Sequence, residues 1–140
     1  MLDFWGSWCT WCIKGFPKLK EYYAKYKDRL EIVGIDCNDT AEKWAAAIKK
    51  HKVPWLHVRS EDGIAEQKFR VQGYPYKVLI SPEGTVLKAY LGETEELYLY
   101  LDRLNETSLS PVKGRGMRRC TINPEKQDSL LLLALQVCGG

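Results

Sequence analysis

No stretch of this chain stays apolar long enough to cross a bilayer. The longest uninterrupted apolar run is Leu130–Leu135, against the roughly 20 residues that a membrane-spanning helix needs. Most of the chain also lacks an excess of either charge. Residues 1–106 carry 16 Lys and Arg against 16 Asp and Glu. The net +3 therefore comes from the segment after residue 106, which holds 5 basic and 2 acidic side chains. A neutral body argues against a nucleic-acid-binding domain, which would show a basic footprint. The opening Met1-Leu2-Asp3-Phe4 shows no basic stretch followed by an apolar core, so no signal peptide is visible. There is no internal repeat.

Cysteine is too sparse for a disulfide-stapled scaffold, which needs a higher density in a shorter chain. It is also odd in number: five cysteines cannot all pair within one chain. What the 140 residues do contain is enough apolar material, 45% hydrophobic against 28% charged, to bury one core. The length fits one domain with a tail.

Along the chain, short β-rich runs alternate with helical patterns. Leu2-Asp3-Phe4-Trp5 reads as the end of a buried strand stopping at Gly6-Ser7. Phe16, Leu19, Tyr22, Tyr23 and Tyr26 recur at helical spacing on one face, with Pro17 inside the pattern and expected to kink it. Leu30–Ile35 reads as a second strand. Asp39 or Thr40 caps the next helix, whose apolar positions are Ala41, Trp44, Ala45 and Ile48. Trp55–Val58 is a short strand and Ile64–Phe69 a short helix. Tyr76–Ile80 and Thr85–Tyr90 flank the turn Ser81-Pro82-Glu83-Gly84. A last helix from Thr94 to Leu104 turns Leu97, Leu101 and Leu104 inward. This alternation specifies an α/β sheet covered on both faces. Residues 107–140 lose the pattern and form a poorly specified tail.

Trp8-Cys9-Thr10-Trp11-Cys12 follows a strand and opens a helix. A helix N-terminus offers unpaired N–H groups and the positive end of the dipole, and both favour a thiolate. Cys9, at the helix start, is the more exposed and better stabilised sulfur. Cys12 lies one turn inward. The asymmetry assigns roles: Cys9 attacks a substrate disulfide, and Cys12 resolves the mixed disulfide. Other uses of the pair fit less well. A second C-x-x-C that would complete a zinc site is missing, and His51 and His57 are not obvious partners. Haem attachment needs His where Ile13 stands. A purely structural disulfide over so short a loop would constrain little of the unfolded chain.

The segment Asp3-Phe4-Trp5-Gly6-Ser7-Trp8-Cys9-Thr10-Trp11-Cys12 resembles the active-site segment of the thioredoxin superfamily. Pro17 matches the proline that bends that family's active-site helix, and Gly73-Tyr74-Pro75 matches the segment holding its cis-proline. The helix and strand inserted at about residues 38–60 resemble the TlpA-like branch, extracytoplasmic thiol–disulfide oxidoreductases of bacteria. The resemblance covers residues 1–106. It implies an α/β thioredoxin-like fold, here truncated at the N-terminus because a strand and a helix ordinarily precede the active-site strand.

The resemblance also supplies site residues. Cys9 and Cys12 are the catalytic dithiol. Asp3 is the buried acid behind the second cysteine, able to take the proton of Cys12, with its pKa raised by burial. Pro75 is cis and leaves neighbouring backbone free to pair with an extended substrate. Trp8 and Tyr74 contact that substrate, with plain core packing as the alternative for each. Trp11 stands where many thioredoxins have proline. Cys37 is a buried, inert thiol, and Cys120 and Cys138 lie in the tail.

The expected activity is exchange of protein disulfides, favouring reduction, in the periplasm or another extracytoplasmic compartment. It needs no metal or organic cofactor, and its partners are protein disulfide substrates and an upstream electron-donor protein. The alternative is a non-catalytic binding module on the same fold. A peroxide-reducing enzyme fits poorly, because Gly6 holds the place of the activating threonine. The tail's leucines are expected to cover apolar surface left open by the missing strand.

Overall fold

The computed structural model describes residues 1–106. Five strands alternate with four helices: β1 (Leu2–Trp5), α1 (Thr10–Lys25), β2 (Val33–Cys37), α2 (Ala41–His51), β3 (Leu56–Ser60), α3 (Ile64–Lys68), β4 (Tyr76–Ile80), β5 (Val86–Leu91) and α4 (Glu95–Glu106). The strands form one sheet in the order β3-β2-β1-β4-β5. β1 is central and wholly buried, parallel to β2 and antiparallel to β4. The tail, with Cys120, Cys138 and the leucine run, lies outside the described residues.

Alternation along β1 sends Leu2 and Phe4 to one face of the sheet and Asp3 and Trp5 to the other. The first face gathers Ile35, Cys37, Val58 and Val78 around Phe4, under Ala65 of α3. The second gathers Trp5, Phe16, Leu19, Leu79, Tyr90, Leu97, Tyr98 and Leu101, which places α1 and α4 over it. Phe16 fills the angle between the rings of Trp5 and Trp55, at centroid distances of 5.2 and 5.9 Å. Asp3 points into this same apolar layer.

Several boundaries and faces differ from the sequence reading. The second strand begins at Val33, although Leu30 and Ile32 are buried in the core as expected of its leading residues. α2 buries Ala47, with Trp44 and Ile48 half-covered, and leaves Ala41 and Ala45 exposed. In α4, Leu97 and Leu101 point inward but Leu104 is 39% exposed, and Tyr98 takes its place in the core. Pro17 lies inside α1, as the sequence reading placed it within that helical pattern.

Candidate active site

The site begins at the loop between β1 and α1. Gly6 is required there, because a Cβ would meet the Trp8 indole at 2.2 Å. The indole folds back over this glycine and its Nε1 donates to the Cys37 carbonyl (2.9 Å). Asp39 fixes the next residue. Its carboxylate accepts from the Ser7 backbone N–H (2.7 Å) and from Ser7 Oγ–H (2.9 Å). Cap duty at α2 falls to Thr40, which accepts from the Lys43 N–H. The two candidate caps have thus divided their work, and Asp39 serves the cysteine loop instead.

Cys9 and Cys12 form a disulfide. Cys9 is the N-cap of α1, and its Sγ accepts from the Cys12 N–H (3.2 Å). A sulfur in that position receives the orphan donors of the first turn. Both cysteines are buried, Cys9 at 6% and Cys12 at 3% exposure, so the order is the expected one but the difference is small.

Trp8 is half exposed, and its ring meets Tyr74 edge-on at 5.2 Å. The Tyr74–Pro75 peptide is cis, and the buried Pro75 is tied into the sheet by the Gly92 N–H on its carbonyl (2.8 Å). The fold thus places Trp8 beside Tyr74, next to Pro75. Trp11 projects into solvent at 65% exposure, with the Lys14 ammonium over its ring. Cys37 is a free, buried thiol, pushed to high pKa by burial and by Glu66.

Asp3 is 2% exposed. The β1–β4 register sets it directly opposite Lys77, and the two side chains approach to 3.5 Å. Lys77 is equally buried and makes a second, shorter pair with Glu93 at 2.5 Å. Burial raises the Asp3 pKa, Lys77 pulls it down, and Glu93 pushes it up again. For Lys77, burial alone would disfavour the cation; the carboxylates of Asp3 and Glu93 overcome it and raise the pKa. A second buried acid, Asp36, sits at the end of β2 on the same face. Burial and the nearby Asp39 push it up to about 8.

Sequence reasoning located the dithiol and Asp3 but missed Lys77, Glu93 and Asp36. Lys77 carried a signal: a lysine in the middle of the apolar run Tyr76–Ile80 is nearly always paired when buried. Glu93 carried none, since a glutamate before a helix reads as a solvated end.

The chain belongs to the thioredoxin-like family, whose model matches residues 1–86. It is 30% identical over 106 residues to the thiol-disulfide oxidoreductase ResA of Bacillus thuringiensis, an overlap of 74% of this chain and 61% of that protein. Against ResA of Bacillus subtilis the identity is 32% over 112 residues, covering 76% and 63%. The chain therefore spans about six tenths of the length of these curated relatives. Among solved structures, the thioredoxin domain of a thiol-disulfide oxidoreductase from Bacteroides vulgatus superposes with a TM-score of 0.66 at 29% identity, covering 74% of this chain and 76% of that one. A thiol:disulfide interchange protein from a Bacteroides species gives 0.68 at 27% identity, covering 80% and 76%. The thioredoxin-like fold is thereby established. Among the described residues, no helix is long and apolar enough to cross a membrane.

Proposed function

We propose that this protein is a TlpA-like thiol–disulfide oxidoreductase that reduces protein disulfides outside the cytoplasm. The observation that carries this reading is the Cys9–Cys12 disulfide, with Cys9 capping α1. The kinship with thiol–disulfide oxidoreductases supports it. The reductive direction and the extracytoplasmic location follow from the resemblance to the TlpA-like branch.

In the reduced protein, the Cys9 thiolate attacks one sulfur of a client disulfide. A Cys9–client bond forms, and the other client sulfur leaves as a thiolate. Cys12 then loses its proton to Asp3 and attacks Cys9 Sγ. The Cys9–Cys12 bond forms and the second client thiolate departs. The client gains two electrons, and an upstream dithiol protein returns them to the pair. Trp8, Tyr74 and Pro75 form the surface on which an extended client segment lies.

The reading is tested by trapping and turnover. Cys12→Ser should accumulate mixed disulfides with client proteins, while Cys9→Ser should not. The unaltered protein should reduce insulin in the presence of a dithiol. A protein that holds partners but shows no rate above background would be a binding module, and the proposal would fall.

A further inference from the structure

Glu93 lies against the backbone of the active-site helix. A Cβ on Gly15 would meet the Glu93 carboxyl carbon and an oxygen at 2.4 Å, so the absence of a side chain at residue 15 makes the seat for that carboxylate. Gly15 follows Cys12 by three residues, one turn along α1, and therefore shares its face of the helix. From this seat Glu93 Oε1 accepts from Lys77 Nζ at 2.5 Å, and Tyr98 O–H donates to its second oxygen at 3.3 Å. The same ammonium stands 3.5 Å from Asp3. Glu93 is 21% exposed at the side chain, whereas Asp3 and Lys77 are both 2% exposed. One cation is thus shared unequally between two carboxylates, and the nearer one is the one that touches α1.

We propose that Glu93 is a positioning residue: by holding Lys77 away from Asp3, it keeps Asp3 basic enough to take the proton of Cys12. This rests on the reading of Asp3 as the proton acceptor. If Lys77 belonged to Asp3 alone, the carboxylate would be a tightly paired anion and a weak base. If Lys77 were missing, Asp3 would hold its proton and could not accept another. The Glu93–Lys77 contact sets the balance between these limits. Two other groups face Asp3 or its cluster. The Met1 amino group, just before β1, lowers the Asp3 pKa when charged, and burial brings its own pKa down to about 6; it is common to every variant compared. From α4 the neutral Tyr98 hydroxyl faces the cluster. Cys12 of α1 lies in the core layer on the face of the sheet to which Asp3 points.

The two partners therefore act in opposite directions, which a packing role would not do. The probe is iodoacetamide, applied to the full chain carrying Cys9→Ser, with the rate at Cys12 followed by peptide-resolved mass spectrometry across pH. Asp3→Asn should remove the carboxylate-dependent inflection from the profile. Glu93→Gln should move that inflection down, and Lys77→Met should move it up, each by about one unit, as expected for gain or loss of a charge at this distance. Lys77→Arg should retain the original position. If Asp3→Asn leaves the profile unchanged, Asp3 is not the acceptor and both readings fall. If Asp3→Asn removes the inflection while Glu93→Gln and Lys77→Met leave it in place or move it the same way, only the role of Glu93 falls. Should Lys77→Met not fold, the direction given by Glu93→Gln decides alone: downward supports, upward or unmoved overturns.

Discussion

Asp3 and Asp36 sit on adjacent central strands, on the same face of the sheet, at 2% and 1% exposure. Burial raises the pKa of both, yet their surroundings differ in sign. Asp3 faces a buried lysine directly across the β1–β4 pair. The cation nearest Asp36 is Arg59, whose Nε is 3.8 Å away. That guanidinium also pairs with Glu61 at 3.2 Å and donates to the Asp39 carbonyl. The stronger neighbour of Asp36 is another acid. Burial opposes the charge on Asp39, but the two Ser7 bonds and the Thr40 N–H outweigh it and hold that carboxylate below its ordinary range. Asp36 consequently keeps its proton up to about pH 8. Desolvation is common to the two acids; the adjacent side chain decides what each can do.

The sharpest way to break this comparison is to neutralise each acid in turn. Asp3→Asn should slow release of a client from its mixed disulfide with Cys9 by roughly 100-fold or more, the usual worth of a positioned proton acceptor. Asp36→Asn should leave that step nearly unchanged. Equal losses in a stopped-flow measurement would erase the distinction between the two acids.

The Asp3 side also depends on the apolar roof above it. Phe16, 2% exposed between two tryptophans, should cost about 3–5 kcal/mol when cut to alanine. Denaturant unfolding would show this, and the ionisation of Asp36 at the strand end should stay where it is.

A smaller effect appears in the pH dependence of stability. The folded pKa of Asp36, about 8, lies above its ordinary 3.8. The protonated form is thus favoured by folding, and its stabilisation is full at low pH and lost as pH rises through 8. The melting temperature should fall between about pH 5 and pH 8.5, and Asp36→Asn should flatten that decline. A slope that survives the substitution would place its origin elsewhere. The mildest change is Asp39→Asn. With the neighbouring charge gone, Asp36 should ionise about one unit lower, as a carbon-13 titration of its carboxyl would record.

Much of this molecule was legible before folding. The cysteine pair stands in one short segment whose local chemistry speaks directly, and the resemblance to the thioredoxin superfamily implied the cis peptide at Pro75. The close approach of the Trp8 indole to Gly6 was not legible. The helix faces were read less well. Ala41, Ala45 and Leu104 carry the right period but meet solvent. Periodicity reports an apolar stripe and says nothing about where the opposing surface ends. Asp39 was legible as a cap and became a clamp on Ser7, a partner 32 residues away.

By itself, the sequence determined the dithiol, its place at the mouth of a helix and the buried strand before it. Each follows from residue types within a few positions of one another. Tertiary structure alone decided which charges meet beneath that helix. Residues 3, 77 and 93 come together only when β1 and β4 pair in one register and Gly15 leaves room for a carboxylate. Coulomb interactions depend on distance through space in a medium of low polarity, and no pattern along the chain encodes that distance.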